Sequence, residues 1–180
     1  AIILMICAGA SEMSMAQWAS AFAESALGLT KSVGDLAGAC LFATTMGISR
    51  MLYGKFGEKI DLIKFMLISG VICVVSYLLA GLSAMPIWGL AGCVMCGFSV
   101  GIMWPGSISI TAPRIPKGGT ALFARLAMAG DMGGAFGPSV VGYFSQHAGD
   151  NLQAGLLTGC IFPLIMLATL IAMKKMTPEG

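Results

Sequence analysis

Apolar residues fall into six runs of similar length, separated by short breaks rich in Gly, Pro, Ser and charge. The runs are Ile2 to Phe22, Val33 to Tyr53, Leu62 to Leu82, Ile87 to Ile110, Ala121 to Phe144 and Leu152 to Met173. Each has about 21–24 residues, enough for a helix rising about 1.5 Å per residue to cross a hydrocarbon core of about 30 Å. Strands of a membrane barrel would be about half as long and would alternate apolar with polar residues, which these runs do not. The breaks carry turn chemistry: Gly28 with Lys31, the stretch Gly54 to Asp61, Ser83 to Pro86, Pro113 to Gly119, and His147 to Asn151. No low-complexity linker divides the chain, so residues 1–180 are expected to form one transmembrane domain.

Polar residues are shared unevenly among the runs. The third and sixth hold no acid or base in their cores, whereas the first holds Glu12, Gln17 and Glu24 and the fifth holds Arg125 and Asp131. That pattern predicts two triplets of helices, with every third helix facing lipid and sites formed between the repeats near the midplane. Asp131 stands out: a carboxylate at the centre of a membrane helix costs about 2.5–3.5 kcal/mol on insertion scales.

Composition supports the membrane assignment. Hydrophobic residues are 57% and charged residues 10% of the 180, against about 25% charged in a soluble domain. The net charge of +2 leaves no basic field for nucleic acid. The start AIILM has no initiator Met and no basic stretch ahead of an apolar run, so it is not a signal peptide and reads as a fragment of a longer chain. The six cysteines lie in apolar runs, and Cys93-x-x-Cys96 has no second pair or nearby His to make a metal site. The fourteen methionines read as packing residues. No metal or cofactor is expected.

Charge sets the orientation. Arg50, Lys55, Lys59 and Lys64 follow the second run, Arg114, Lys117 and Arg125 surround the break before the fifth, and Lys174 and Lys175 end the chain. If all six runs cross, these nine of the ten bases share one side and only Lys31 lies on the other. The positive-inside rule makes that side cytoplasmic, together with both ends of the segment, in a cell membrane.

Four stretches, Gly9 to Trp18, Gly47 to Lys59, Gly97 to Ser107 and Gly130 to Pro138, together resemble the C-terminal six-helix half of a major facilitator superfamily transporter, most of all the fucose-permease-like branch. Gly9-Ala-Ser-Glu12 followed by Trp18 is similar to the family's seventh helix. Gly47-Ile-Ser-Arg50 leading to Gly54-Lys-Phe-Gly-Glu58-Lys59 resembles the basic loop after the eighth. GFSVGIMWPGS, from Gly97 to Ser107, resembles the tenth, and Gly130-Asp131-Met-Gly-Gly-Ala-Phe-Gly-Pro138 the eleventh. The loop departs from the superfamily's pattern: Asp61 stands where a second Gly is expected and Leu62 where a base is expected. The resemblance implies an all-α polytopic fold, six transmembrane helices as two three-helix repeats forming half of a twelve-helix transporter. It implies alternating access, a small polar solute such as a sugar, proton coupling, and an N-terminal six-helix half as partner within the bilayer.

The candidate residues each carry two readings. Glu12 either lines a cavity, taking up a proton or hydrogen-bonding the solute, or ties two helices together. Gln17 and Trp18 flank its face; Trp18 stacks on a sugar ring or anchors at the interface. Trp104-Pro105 bends the fourth run and frees a backbone carbonyl, with substrate contact by Trp104 as the sharper reading. Asp131 shares a helix face with Gly134, Ala135 and Pro138, and Gly130/Gly134 and Gly133/Gly137 are small-xxx-small pairs, so this face reads as a packing and gating joint. Arg50, Gly54, Glu58 and Lys59 belong to the conformational loop, as topology anchors and loop ion pairs. Gly97-x-Ser99-x-Gly101 matches a nucleophile elbow, but Ser99 lies inside an apolar helix and His147, the only His, lies in a distant loop. No phosphate-binding Gly-x-x-x-x-Gly-Lys-Ser/Thr occurs. The expectation is a transporter and not an enzyme; the alternative is a non-transporting six-helix protein, an intramembrane enzyme or a structural half that dimerises.

Overall fold

A computed structural model describes residues 1–28, 30–57 and 60–176; Glu58 and Lys59 lie outside the described residues. Among those described, every regular element is helical: α1 Ile2–Leu27, α2 Lys31–Phe56, α3 Leu62–Leu82, α4 Pro86–Val100, α5 Met103–Thr111, a 3-10 turn Ala112–Arg114, α6 Gly119–His147, α7 Leu152–Gly159 and α8 Ile161–Met176. The first, second, third and fifth runs are single helices. The fourth is broken at Gly101–Ile102 and the sixth at Cys160. In both, a proline stands four residues after a glycine, Gly101 before Pro105 and Gly159 before Pro163. Proline has no N–H for the carbonyl four residues back, and its ring crowds that carbonyl.

Five stretches are long and apolar enough to cross a membrane: Ile2–Ala21, Lys31–Phe56, Leu62–Leu82, Pro86–Arg114 and Leu152–Lys175. The 29-residue α6 is long enough but is diluted by Arg125, Asp131 and its glycines. Packing directions make it the sixth crossing. Gly133 of α6 meets Ile6 of α1 and Gly137 meets Ala10, so α6 runs parallel to α1. Gly155 of α7 meets Val141 and Ser145, so the chain returns antiparallel to α6. Gly34 against Glu24, and Gly38 against Ala19, set α2 antiparallel to α1. Three crossings thus separate α1 from α4, and the two triplets run in opposite directions.

The neighbours follow the same two-fold logic. α1 packs on α6 as α2 packs on α4, and α3 packs on α4 as α1 packs on α8; α1 with α4, and α3 with α7 and α8, are their own counterparts. The largest core, with Leu4, Met15, Tyr77, Cys96, Val100, Ile102, Leu156 and Met166 among its buried members, lies where α1, α3, α4 and the sixth run meet.

The third run has two faces: α3 buries Met66, Ser69, Gly70, Cys73, Ser76, Tyr77, Ala80 and Gly81 and exposes the apolar Ile68, Val71, Val75, Leu78 and Leu82. Absence of charge there marks close packing, since small residues let α4 and α8 approach. The Tyr77 hydroxyl donates to the Ser11 carbonyl at 2.8 Å in the core. The barest helix is α2, where only Gly34, Gly38, Phe42 and Ser49 are buried. The cysteines are all free, and only Cys40 is exposed.

The irregular loop residue Asp61 has a local reason. Its side chain caps α3, accepting from the Lys64 backbone N–H at 3.1 Å, and its carboxylate lies 3.2 Å from the Lys64 ammonium. The Lys64 amide, followed by its side chain, holds the Asp61 carboxyl below the usual range.

Three outcomes are expected. A Cβ at Gly133 would overlap the Ile6 carbonyl, so Gly133→Ala should destabilise the α1–α6 pair by about 1–3 kcal/mol. Nothing lies within 4 Å of a Cβ at Gly142, so Gly142→Ala should be neutral or stabilising by about 0.5–1 kcal/mol; thermal midpoints in detergent read both. Because the Asp61 carboxyl is lowered on folding, its contribution is in place above its unfolded value, near 3.8, and fades as pH falls through the folded one. Asp61→Asn, which keeps a capping oxygen, should therefore lose less stability between pH 5 and pH 3 than the parent.

Candidate functional site

The site forms where α1, α2, α5 and α6 leave an open face. Glu12 sits about 15 Å along α1 at about 1.5 Å per residue. The hairpin contacts 24 with 34 and 20 with 38 set residue 46 opposite Glu12. Arg50 is one turn further on and reaches back, placing Nη2 3.8 Å from Glu12 Oε1. The Glu12 side chain is 16% exposed and that of Arg50 46%. Arg50 therefore does not belong only to the basic loop after the second run; it enters the site on α2.

The same guanidinium meets the break in the fourth run. Pro105 cannot give an N–H to Gly101 O, and Arg50 Nε donates to that carbonyl at 3.3 Å. The next bond of the helix is restored, Gly106 N–H to Ile102 O at 2.7 Å. Helix α2 can come this close because Gly101 has no side chain: a Cβ there would press on the Met46 carbonyl and on Ser49. The freed carbonyl expected from Trp104-Pro105 is thus Gly101 O, and it is held by an arginine. Sequence reading missed this partner; its signal was a base sitting well before Lys55 within an apolar run.

Two cavities share Trp104 as a wall. One, of about 340 Å³, is lined by Glu12, Met13, Trp104, Gly130, Asp131, Gly134 and Ala135. The other, of about 350 Å³, is lined by Arg50, Tyr53, Trp104, Pro105 and Ile108. The Trp104 ring lies over Gly130, where a Cβ would strike it. Glu12 Oε2 and Trp104 Nε1 are buried without a hydrogen-bond partner. Unmet buried polar atoms are costly in a membrane.

The other expected residues separate. Asp131 and Gly134 line the first cavity with Glu12, and Asp131 is exposed to it. Pro138 is buried in α6 two turns on. Gln17 is exposed and lines neither cavity. Trp18 packs on the main core, its Nε1 buried and unpartnered. Gly54 faces open space at the end of α2. Gly9, Gly133 and Gly137 carry the α1–α6 contact, a Cβ at Gly9 overlapping the Gly130 carbonyl. Met13, Tyr53 and Ile108 join the lining without having been singled out by sequence. Ser99 donates to the Cys96 carbonyl at 2.8 Å inside α4, and His147 Nδ1 lies 2.9 Å from the Tyr143 carbonyl at the end of α6, so the hydrolase constellation is not assembled. Among the described residues, no group of three or more His, Cys, Asp or Glu is placed to hold a metal.

Comparison with known proteins agrees with this architecture. Two curated relatives, multi-drug resistance efflux pumps of two Streptococcus pneumoniae strains, are each 27% identical over 159 residues, which is 83% of this chain and 39% of the relative. The chain thus spans well under half the length of these relatives. No solved structure matches it. The model of the Major Facilitator Superfamily matches residues 1–179. The chain belongs to the major facilitator superfamily, a family of membrane transporters and not of enzymes.

Proposed function

We propose that this chain is the six-helix half of a secondary transporter working by alternating access, and that a second, N-terminal six-helix half covers the face carrying Glu12, Arg50, Trp104 and Asp131. The observation that carries this reading is the pair of unmet buried atoms, Glu12 Oε2 and Trp104 Nε1, beside a cavity that Asp131 also lines. A helix bundle that crosses lipid satisfies its own polar groups unless something else is to meet them. The bareness of α2, next to that cavity, supports a protein partner there: it exposes Asp35, Thr44 and Arg50, which lipid would solvate poorly. Basic loops put both ends of the segment in the cytoplasm and the protein in the cell membrane.

The solute is a small polar organic molecule, and the resemblance to fucose permeases makes a sugar the first class to test. Trp104 offers a flat face and a free N–H, while Glu12 offers an acceptor and a proton site; Asp131, Gly134 and Pro138 on α6 serve the moving joint. Arg50, with Gly54, Glu58 and Lys59, makes the cytoplasmic end of that machinery. A second reading is efflux of aromatic cations. It draws on the efflux-pump relatives and on two carboxylates beside Trp104 and Met13 in one cavity, since cations are attracted to carboxylates and indole faces.

Transport by the full-length protein in proteoliposomes, with and without a pH gradient, tests both. Gradient-driven sugar accumulation supports the first reading, and exclusion of a cationic dye supports the second. Glu12→Gln and Asp131→Asn should abolish or flatten the dependence on the gradient; unchanged pH dependence in both would sink proton coupling. Trp104→Ala is expected to lower kcat/KM about tenfold, equivalent to about 1.4 kcal/mol.

A further inference from the structure

We infer that Arg50 is a positioning residue that couples the charge state of Glu12 to the bend of the fourth run at Gly101–Ile102. This rests on the transporter reading above, since its use is to link ligand or proton arrival to a change in helix shape. One guanidinium serves two acceptors on different helices: Nη2 faces Glu12 on α1 at 3.8 Å, and Nε donates to Gly101 O at 3.3 Å. A planar fork with several fixed donors can hold both at once.

The link follows from what each acceptor offers. Gly101 O is a neutral acceptor and holds a cation only weakly against the pull of a nearby carboxylate. With Glu12 ionised, the ion pair and the hydrogen bond favour one arginine position. With Glu12 neutral, that anchor is lost, and the nearest other carboxylate in the site is Asp131, across Trp104. An arginine drawn away leaves Gly101 O bare in a buried stretch, because Pro105 has no N–H to return to it. Backbone in lipid then recovers a partner by changing the local helix geometry. Residues on both sides of the break are buried, Val100, Ile102 and Met103 among them, so a change of bend is felt across the core.

Few other charged or titratable groups face this pair. Arg50 and Tyr53 face the site from α2, and Asp131 faces it from α6. α4 brings only the thiols Cys93 and Cys96, and α5 brings no ionisable side chain. Lys174 and Lys175 lie in the last turn of α8, and on α1 itself the buried Cys7 is about a turn away. Asp131 is the further carboxylate that lines the cavity with Glu12.

The test measures the bend directly. Spin labels at Trp88→Cys and Ile115→Cys, both exposed, bracket the fourth run in full-length protein carrying Cys40→Ala and Asp131→Asn. Glu12→Gln and Arg50→Gln should each move the label distance in the same direction by about 2 Å. The double variant should move it no further than either one, the mark of a shared link. Pro105→Ala restores an N–H to Gly101 O, so its distance should no longer respond to Glu12→Gln. Acidifying the labelled parent should reproduce the Glu12→Gln shift and leave Glu12→Gln itself unmoved, which checks the link without relying on any Arg50 variant. Distances that ignore both single variants in helical, monodisperse protein would overturn the proposal, as would additive shifts or a Pro105→Ala protein that still responds. Unlabelled full-length protein with Glu12 and Asp131 intact that carries no solute would count against the transporter reading while leaving the distance result standing.

Discussion

A backbone carbonyl that has lost its N–H inside a membrane is the constraint on which the site depends. Lipid offers nothing to such a group, so it must be met from within the protein. Pro105 creates the deficit at Gly101, and Arg50 meets it. That requirement draws a cation into the bundle. The cation in turn needs an anion, and Glu12 is the carboxylate within reach. The α2 approach, the fourth-run break and the acid on α1 are therefore one arrangement, and none of the three is explained alone.

Close packing makes the arrangement possible. Gly101 lets Ser49 and Met46 come against the break, Gly97 lets Phe42 and Thr45 do so one turn earlier, and Gly9 with Gly133 and Gly137 brings α6 onto α1. With no hydrophobic driving force between helices in lipid, such small residues set how near two helices come. The approach of α6 also carries Asp131 to the cavity beside Glu12. The glycines therefore act on the site at one remove, by deciding which polar groups share a space.

Much of this was legible in the residues. Run length and the clustering of bases yielded six crossings, and the Gly-x-x-x-Gly pairs around Asp131 marked a helix that packs closely. The proline at 105 announced a freed carbonyl. What could not be read was the partner. Arg50 looked like one more base of a cytoplasmic loop, because distance along a sequence does not show that an antiparallel hairpin brings residue 50 to within a turn of residue 12. The buried face of α3 was hidden for a related reason: a helix without charge can face lipid on one side and a crowded core on the other, and only the placement of Gly70 against α8, Ser76 against α4 and Gly81 against α7 shows which residues pack. Trp18 and Gln17 fail to join the cavity because each is rotated off the Glu12 face, as about 100° per residue requires.

The internal two-fold sharpens why one break matters more than the other. α1 and the fourth run are counterparts, yet α1 is an unbroken helix of 26 residues and the fourth run is bent. The sixth run breaks through the same Gly-x-x-x-Pro chemistry at Gly159 and Pro163, but Gly159 faces Tyr77 and Val141 in the core. A proline break by itself is thus a packing feature. The break in the fourth run differs in its neighbours: its freed carbonyl meets Arg50, and Arg50 lies beside Glu12 on the straight helix α1.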